Sequence, residues 1–328
     1  MNLDLLKKIE NKALQSERIL KYKTLLELSG DYLDSLKDED NKLYFGIPTF
    51  DNVTQGKLRG RLITMSGVAG SMKSLLSCQI GQVNAKTDVA TLYWSGEMVD
   101  YEVFSRIIDS EIDFNTDPNY KMQTSHIIEG LVSRGESEQA KELINQCLQS
   151  VFGDRFVISQ DSDVDSSVLR NTIIHYNSNH STQIGVVVVD GLSMMSESGT
   201  ENESVMKHSK ELKELAKEFN ICIILLAHPN KTAQPTYRDL THSIRSSQKL
   251  IDNSDFIFTI SLIEDIEKST PDAPVYMNNC RWIRGWFKRA DGSRRDIILD
   301  FDSTTLRLTE SEIQASDIQR ATAKKDLF

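Results

Sequence analysis

The sequence predicts an α/β domain, a mostly parallel central sheet with a β-hairpin edge, preceded by a short helical appendage. Three observations predict it. From Leu43 onward short apolar runs alternate with helical stretches, the pattern of parallel strands joined by helical crossovers. VVVVD (186–190) and ICIILLA (221–227) are apolar throughout or up to a final acid, as central strands buried on both faces must be. After DFIFTIS (255–261) the rhythm becomes strand–turn–strand, which closes the domain on a β-rich edge.

Each element has its own signal. In residues 1–43, Leu3, Leu5, Leu6, Ile9, Leu14, Ile19, Leu20, Leu25, Leu26 and Leu28 recur every three to four positions among Lys and Glu. That is an amphipathic helical appendage, whose stripe must be buried on its own domain or on a neighbouring subunit. RLITMSG (61–67) reads as a strand, SLLSCQIGQVNAK (74–86) as a helix and VATLYWSG (89–96) as a strand. A long helical region is expected from about Asp100 to Ser150. FVISQ (156–160), the helix DSSVLRNTIIHYN (165–177), VVVVD, the helix VMKHSKELKELAKEFN (205–220) and ICIILLAH follow. VYMNNCRWIRGWF (275–287), the turn KRADGSRR and DIILDFD (296–302) form the edge. The expected division is 1–43 appendage, 44–308 domain and 309–328 a mobile polar tail.

Composition limits the classes. The chain has 328 residues, 38 Lys plus Arg against 48 Asp plus Glu, and a formal net charge of −10. Apolar residues at 39% are ordinary for a folded domain, and no apolar run approaches the roughly 20 residues that cross a bilayer. The opening residues are charged throughout, unlike a signal peptide. Cys78, Cys147, Cys222 and Cys280 are far apart, without a zinc-type pair or a disulfide framework. These features predict a protein of a reducing cytoplasm, with no membrane partner. The acidic balance disfavours indiscriminate coating of nucleic acid but permits a local basic groove.

The chemistry is concentrated in three places. Gly67-Val68-Ala69-Gly70-Ser71-Met72-Lys73-Ser74 lies between a strand and a helix and meets the phosphate-loop pattern GxxxxGK[ST], except that Met72 replaces the second glycine. Such a loop turns backbone N–H groups toward phosphate at a helix N-terminus. Lys73 would then meet the β and γ phosphates of ATP, and Ser74 would coordinate Mg²⁺. Met72 is tolerated if its φ is negative and strained if it is positive. Asp190 ends a buried strand, as a Walker B carboxylate that holds Mg²⁺ does; capping of the DGLS turn is the alternative role. Glu97 ends the strand after the loop helix, placed to polarise an attacking water, or else to cap the helix that follows.

The series SGVAGSMKS, TLYWSGEM, VVVVDGLSMM, LKELAKEFNICIILLAHPNK and DLTHSIRSSQKLIDNSDFIFTI resembles the motif series of DnaB-like hexameric replicative helicases, including those of phages, across residues 44 to 305. The resemblance implies a RecA-like ATPase core that drives a ring along single-stranded DNA in replication. By that resemblance Gly67, Gly70, Ser71, Met72, Lys73, Ser74 and Asp190 bind Mg-ATP, and Glu97 is the catalytic carboxylate. His228 stands where the family has a glutamine γ-phosphate sensor. The family's Lys-x-Arg pair is displaced here, so Lys288 and Arg289 are the candidates to reach the next subunit's nucleotide, with Arg284, Arg294 and Arg295 in reserve. Lys231, Arg238 and Arg245 are the candidates for single-stranded DNA, with Tyr237 as a stacking residue; Ser196–Lys207 is too acidic for that role. The resemblance implies a homo-hexamer gripping through residues 1–43, which are too short for the family's collar or primase domain, and a primase among the partners. A filament-forming RecA-like recombinase and a non-hydrolysing nucleotide-binding scaffold are the alternatives.

Overall fold

Among the described residues nine strands form one sheet; numbered in chain order, they lie across it as 3-2-4-5-1-6-7-8-9. The computed structural model describes residues 42–67, 70–111, 122–195, 200–228, 248–262 and 280–312, together with Leu25. The chain divides into two units, Met1–Asn41 and Lys42–Phe328, and the sheet belongs to the second. The expected appendage helix, the candidates Lys231, Tyr237, Arg238 and Arg245, and the tail beyond residue 312 lie outside the described residues.

Strands β1 (Arg61–Gly67), β2 (Val89–Ser95), β3 (Phe156–Ser159), β4 (Gln183–Asp190), β5 (Cys222–Ala227) and β6 (Phe256–Leu262) run parallel. Strands β7 (Cys280–Trp286), β8 (Arg294–Asp302) and β9 (Arg307–Glu310) extend the β6 side antiparallel. This is the expected class, with one strand more than expected. β9 includes Thr309 and Glu310, so the polar tail does not begin at 309. The short helix α1 (Pro48–Thr54) was also not expected; Pro48 sits in its first turn, and Asp51 accepts the Phe45 and Gly46 N–H groups at 2.7 and 3.0 Å. Burial raises the Asp51 carboxyl to about 6. Packing of this unit already includes Leu43, which is fully buried.

The central strands show why continuous apolar runs are required. Along β4, Val186 and Val188 face one core cluster, whereas Val187 and Val189 face the other. β5 alternates likewise, with Cys222, Ile224 and Leu226 on one side and Ile223, Leu225 and Ala227 on the other. The first cluster is covered by α2 (Lys73–Ala85) and α3 (Asp100–Glu111) and ends in an edge-to-face group of Phe45, Phe50, Phe258 and Phe287. The second is covered by α6 (Ser166–Asn179), α7 (Glu201–Phe219) and α8 (Gln248–Asn253). Each buried large aliphatic contributes about 1.5–3 kcal/mol, which is why a polar residue at any of these positions would be costly.

The expected long helical region from Asp100 to Ser150 holds three helices among the described residues, α3, α4 (Thr124–Ser133) and α5 (Ser137–Val151). Gly135, at φ +82°, makes the break between α4 and α5 that helical periodicity alone does not reveal. α7 starts earlier than expected, at Glu201, because Thr200 and Glu203 form a reciprocal capping box. The Ser196–Lys207 stretch is therefore helical from 201 onward and not a loop throughout. Asp165 caps α6 by accepting from Ser167 N and Val168 N. Among the described residues no helix is long and apolar enough to cross a membrane.

Candidate functional site

Register alone brings the chemistry to one rim. Ser95 pairs with Asp190, Asp190 with Leu226, and Ser66 with Ala227, so β1, β2, β4 and β5 end level. The residues just past those ends are the phosphate loop, Glu97, Gly191 and His228. Binding clefts of open parallel sheets lie at this carboxyl rim.

At the end of β1, Gly67 has no room for a side chain: a Cβ would lie 2.4 Å from Ser71 Oγ and 2.5 Å from the Ile260 carbonyl oxygen. Gly70 has φ +78°. Met72 caps α2 at φ +70°, ψ +27°, so of the two cases left open the strained one holds. A non-glycine residue in this left-handed region costs about 1–2 kcal/mol. The Met72 side chain packs against the first core cluster, which offsets part of that cost. Ser71 is fully buried, and its hydroxyl has no hydrogen-bond partner among the described residues. Lys73 Nζ donates to the Gly67 carbonyl at 2.8 Å. Burial lowers the Lys73 pKa, while the charges of Glu97 and Asp190 raise it, so all three groups sit within electrostatic reach.

Asp190 is 2% exposed. Tyr93 Oη donates to its Oδ2 at 2.6 Å, and Ser74 contributes a second side-chain hydrogen bond. Burial raises the Asp190 pKa, with the Tyr93 and Ser74 hydrogen bonds and the Lys73 charge opposing and Glu97 reinforcing. A buried carboxylate and a serine hydroxyl in contact, beside a lysine and a second carboxylate, form an oxygen donor set of the kind that suits Mg²⁺. The residues present therefore fit a magnesium–nucleotide.

The Ser95-Gly96-Glu97-Met98 turn is fixed from both sides. Ser95 Oγ accepts the Met98 N–H at 3.0 Å and donates to the Met98 carbonyl at 2.7 Å. Gly96 N donates to the Asp190 carbonyl at 2.8 Å, tying the two acid-bearing strand ends together. A Cβ on Gly96 would lie 2.8 Å from Met194 Cβ, so only glycine fits. Met98 packs toward the first core cluster, and Arg106 donates to its sulfur. Glu97 then projects from the turn, its Cγ 3.1 Å from where a Cβ of Gly191 would stand. His228 Nε2 lies 2.6 Å from Glu97 Oε1, so the histidine orients the carboxylate. At the start of α3, Asp100 Oδ1 accepts the Tyr101 N–H at 2.7 Å.

Lys288 and Arg289 are not at this rim. They follow β7, whose end pairs with the start of β6, so they lie at the opposite, amino end of the parallel strands. A strand of this length separates the two ends by roughly 20 Å. Neither residue can serve its own phosphate loop. Lys288 Nζ donates to the carbonyls of Ile251 and Asp252, both at 2.9 Å, and of Ser254 at 3.3 Å. In this copy Lys288, a candidate to reach the next subunit's nucleotide, closes the end of α8 instead of projecting freely. Arg289 has a side chain 59% exposed, with Nε 3.8 Å from Asp255 Oδ1. Of the reserves, Arg294 stacks over Trp286 and Arg295 pairs with Asp291, while Arg284 has only its backbone described.

Sequence reasoning brought Lys73, Ser74, Glu97, Asp190 and His228 to one rim, where the structure also has them. It missed Tyr93, Gly96 and Gly191. Tyr93 was hidden inside an apolar strand, and the signal for the glycines was their position immediately beyond strand ends.

Residues 43–309 match the DnaB-like helicase C terminal domain. The chain is 23% identical over 281 residues to the replicative DNA helicase DnaB of Mycoplasma pneumoniae, covering 81% of this chain and 56% of that protein. The chain thus spans about half the length of that curated relative. Among solved structures, an isolated ATPase domain superposes with TM-score 0.70 at 14% identity, over 89% of this chain and 100% of that one. A DnaB-like replicative helicase, described with its interactions with primase, superposes with TM-score 0.66 at 14% identity, over 94% and 71%. At these identities the structural likeness speaks to the fold alone.

Proposed function

The chain belongs to the DnaB-like helicase family, and from that membership we propose that it hydrolyses ATP to move along single-stranded DNA during replication. The observation that carries the reading is the convergence of Lys73, Glu97, Asp190 and His228 on one rim beside the phosphate loop. The match to this family also weighs against the recombinase alternative.

In the proposed site the loop amides and Lys73 receive the ATP phosphates, with Lys73 turning from the Gly67 carbonyl toward them. Ser74 and Asp190 would hold Mg²⁺, whose contribution when bound is to neutralise charge on the β and γ phosphates. Glu97 acts as general base on the attacking water. His228, joined to Glu97, sits where the γ-phosphate would arrive and reports its presence to that carboxylate. Arg289, exposed at the other end of the sheet, serves the nucleotide of a neighbouring copy, a role typically worth about 10³–10⁵ in rate.

The proposed assembly is a homo-hexameric ring, joined through residues 1–43 and the ATP interface. DNA contact falls to Lys231, Arg238 and Arg245, weakly basic in one copy but additive around a ring. A primase is the proposed partner in the cytoplasm of a bacterium or of a phage-infected host. The test is phosphate release with and without single-stranded DNA, beside the mass of the assembly. Turnover that rises with DNA and disappears in Glu97→Gln is expected. Absence of turnover in the intact chain, or unchanged turnover in Glu97→Gln, would refute the proposal.

A further inference from the structure

Lys288 resembles a residue held for structure more than one held in readiness. Its ammonium meets three carbonyls at the end of α8, where a helix leaves acceptors without intrahelical donors. The next residue is pinned by its backbone: Arg289 N donates to the Asp255 carbonyl at 3.1 Å. Asp255 is itself an anchor, 2% exposed. Its N–H donates to the Leu62 carbonyl at 2.8 Å, and its Oδ2 accepts the Leu62 N–H at 2.8 Å. Lys213 of α7 donates to the same carboxylate, and Arg61 reaches it at 3.4 Å. One buried acid therefore joins the first strand of the sheet, the helix α7 and the Arg289 turn. The Arg289 side chain stays 59% exposed, with its Nε 3.8 Å from the same carboxylate.

We propose that Lys288 and Asp255 form a clamp that positions Arg289 for a neighbouring copy's nucleotide, and that Lys288 does not itself touch that nucleotide. The inference rests on the proposed trans role of Arg289. Lys288 holds the turn against the end of α8, and Asp255 fixes the turn's height on β1 and β6. Losing the cap lets the turn drift. A misplacement of about 1 Å at a reacting group costs on the order of 10²-fold in rate.

The experiment measures kcat and KM for ATP, with single-stranded DNA, in the full chain and in Arg289→Ala, Lys288→Ala, Lys288→Arg and the double alanine variant. Enzyme concentrations are set to keep the slowest rate readable. Amide hydrogen exchange is followed at Ser254, Asp255 and Arg289. Arg289→Ala should lose about 10³-fold or more in kcat. Lys288→Ala should lose about 10²-fold with KM little changed and faster exchange at the three amides. Lys288→Arg, which can still donate to the carbonyls, should recover most of the rate. The double variant should be no slower than Arg289→Ala, because Lys288 acts only through Arg289. Wild-type kcat or unchanged exchange in Lys288→Ala overturns the clamp, and so does a double variant tenfold slower than Arg289→Ala. Wild-type turnover in Arg289→Ala is a separate result: it overturns the trans role and the clamp's purpose with it.

Discussion

Replacing Tyr93 by Phe removes one atom from the candidate site and leaves the ring in place. The hydroxyl lost is the donor to Asp190 Oδ2 at 2.6 Å, deep in the first core. A hydrogen bond to a charged group contributes about 1.5–3 kcal/mol, and the phenyl ring fills nearly the same volume, so little is added for a cavity. Ser77, another neighbour of the hydroxyl, keeps its bond to the Ser74 carbonyl at 2.9 Å. For a domain of this size, about 1.5–3 kcal/mol corresponds to roughly 3–12 °C in Tm. The pH dependence gives a second readout. Asp190 already has its folded pKa raised, by burial first, so its ionisation opposes folding as pH rises above the ordinary aspartate range. The Tyr93 hydroxyl works against that shift, and its loss must raise the folded pKa further. The stability gap between wild type and Tyr93→Phe should therefore widen from about pH 3.5 to pH 7. Below the aspartate range it should shrink toward the worth of a neutral hydrogen bond, about 1 kcal/mol. Urea unfolding of the nucleotide-free chain at several pH values measures it. A gap that stays constant, or grows on acidification, would refute the assignment of Tyr93 as the stabiliser of a charged Asp190.

Two further substitutions probe the loop and the acidic turn. Gly96→Ala would press a methyl group to 2.8 Å from Met194 Cβ and 3.3 Å from the Asp190 carbonyl oxygen, tilting the turn that carries Glu97. Hydrolysis should fall by about tenfold to a hundredfold while nucleotide affinity, measured by calorimetry, stays near wild type; an unchanged kcat would show that the turn tolerates the shift. At Met72, relief of the left-handed strain and loss of core contact should nearly cancel in Met72→Gly, leaving stability within about 1 kcal/mol. Met72→Val, β-branched at the same positive φ, should be less stable than Met72→Gly by about 1–2 kcal/mol in thermal unfolding, and equal stability would mean that the backbone there relaxes.

The parallel half of the fold was legible because its strands are buried on both faces, so apolar runs such as Val186–Val189 had no competing helical reading. Glu97 and Asp190 followed from one rule, that residues at the carboxyl ends of parallel strands share a rim, whereas His228 came from the family resemblance. What stayed hidden was set by contacts with no local pattern. α1 has only seven residues, and β9 four, too short for any period to show. The conformation of Met72 depends on how β1 delivers the chain to α2, and side-chain type does not report it. Lys288 could be placed beside Arg289 in sequence, but the carbonyls that hold it come from a helix 34 to 37 residues earlier. Nothing near Lys288 announces them. Tyr93 reads as core filler until its hydroxyl is seen against Asp190.

The separation of Arg289 from its own phosphate loop gives each copy a front and a back. Two copies related by a two-fold axis would set like against like, arginine end to arginine end, and leave both loops unattended. Under the proposed trans role of Arg289 only a head-to-tail contact would serve a site, and head-to-tail contacts repeat until they close on themselves or run on as a helix. Directionality around such an assembly is then written into the orientation of a single sheet, before any DNA enters.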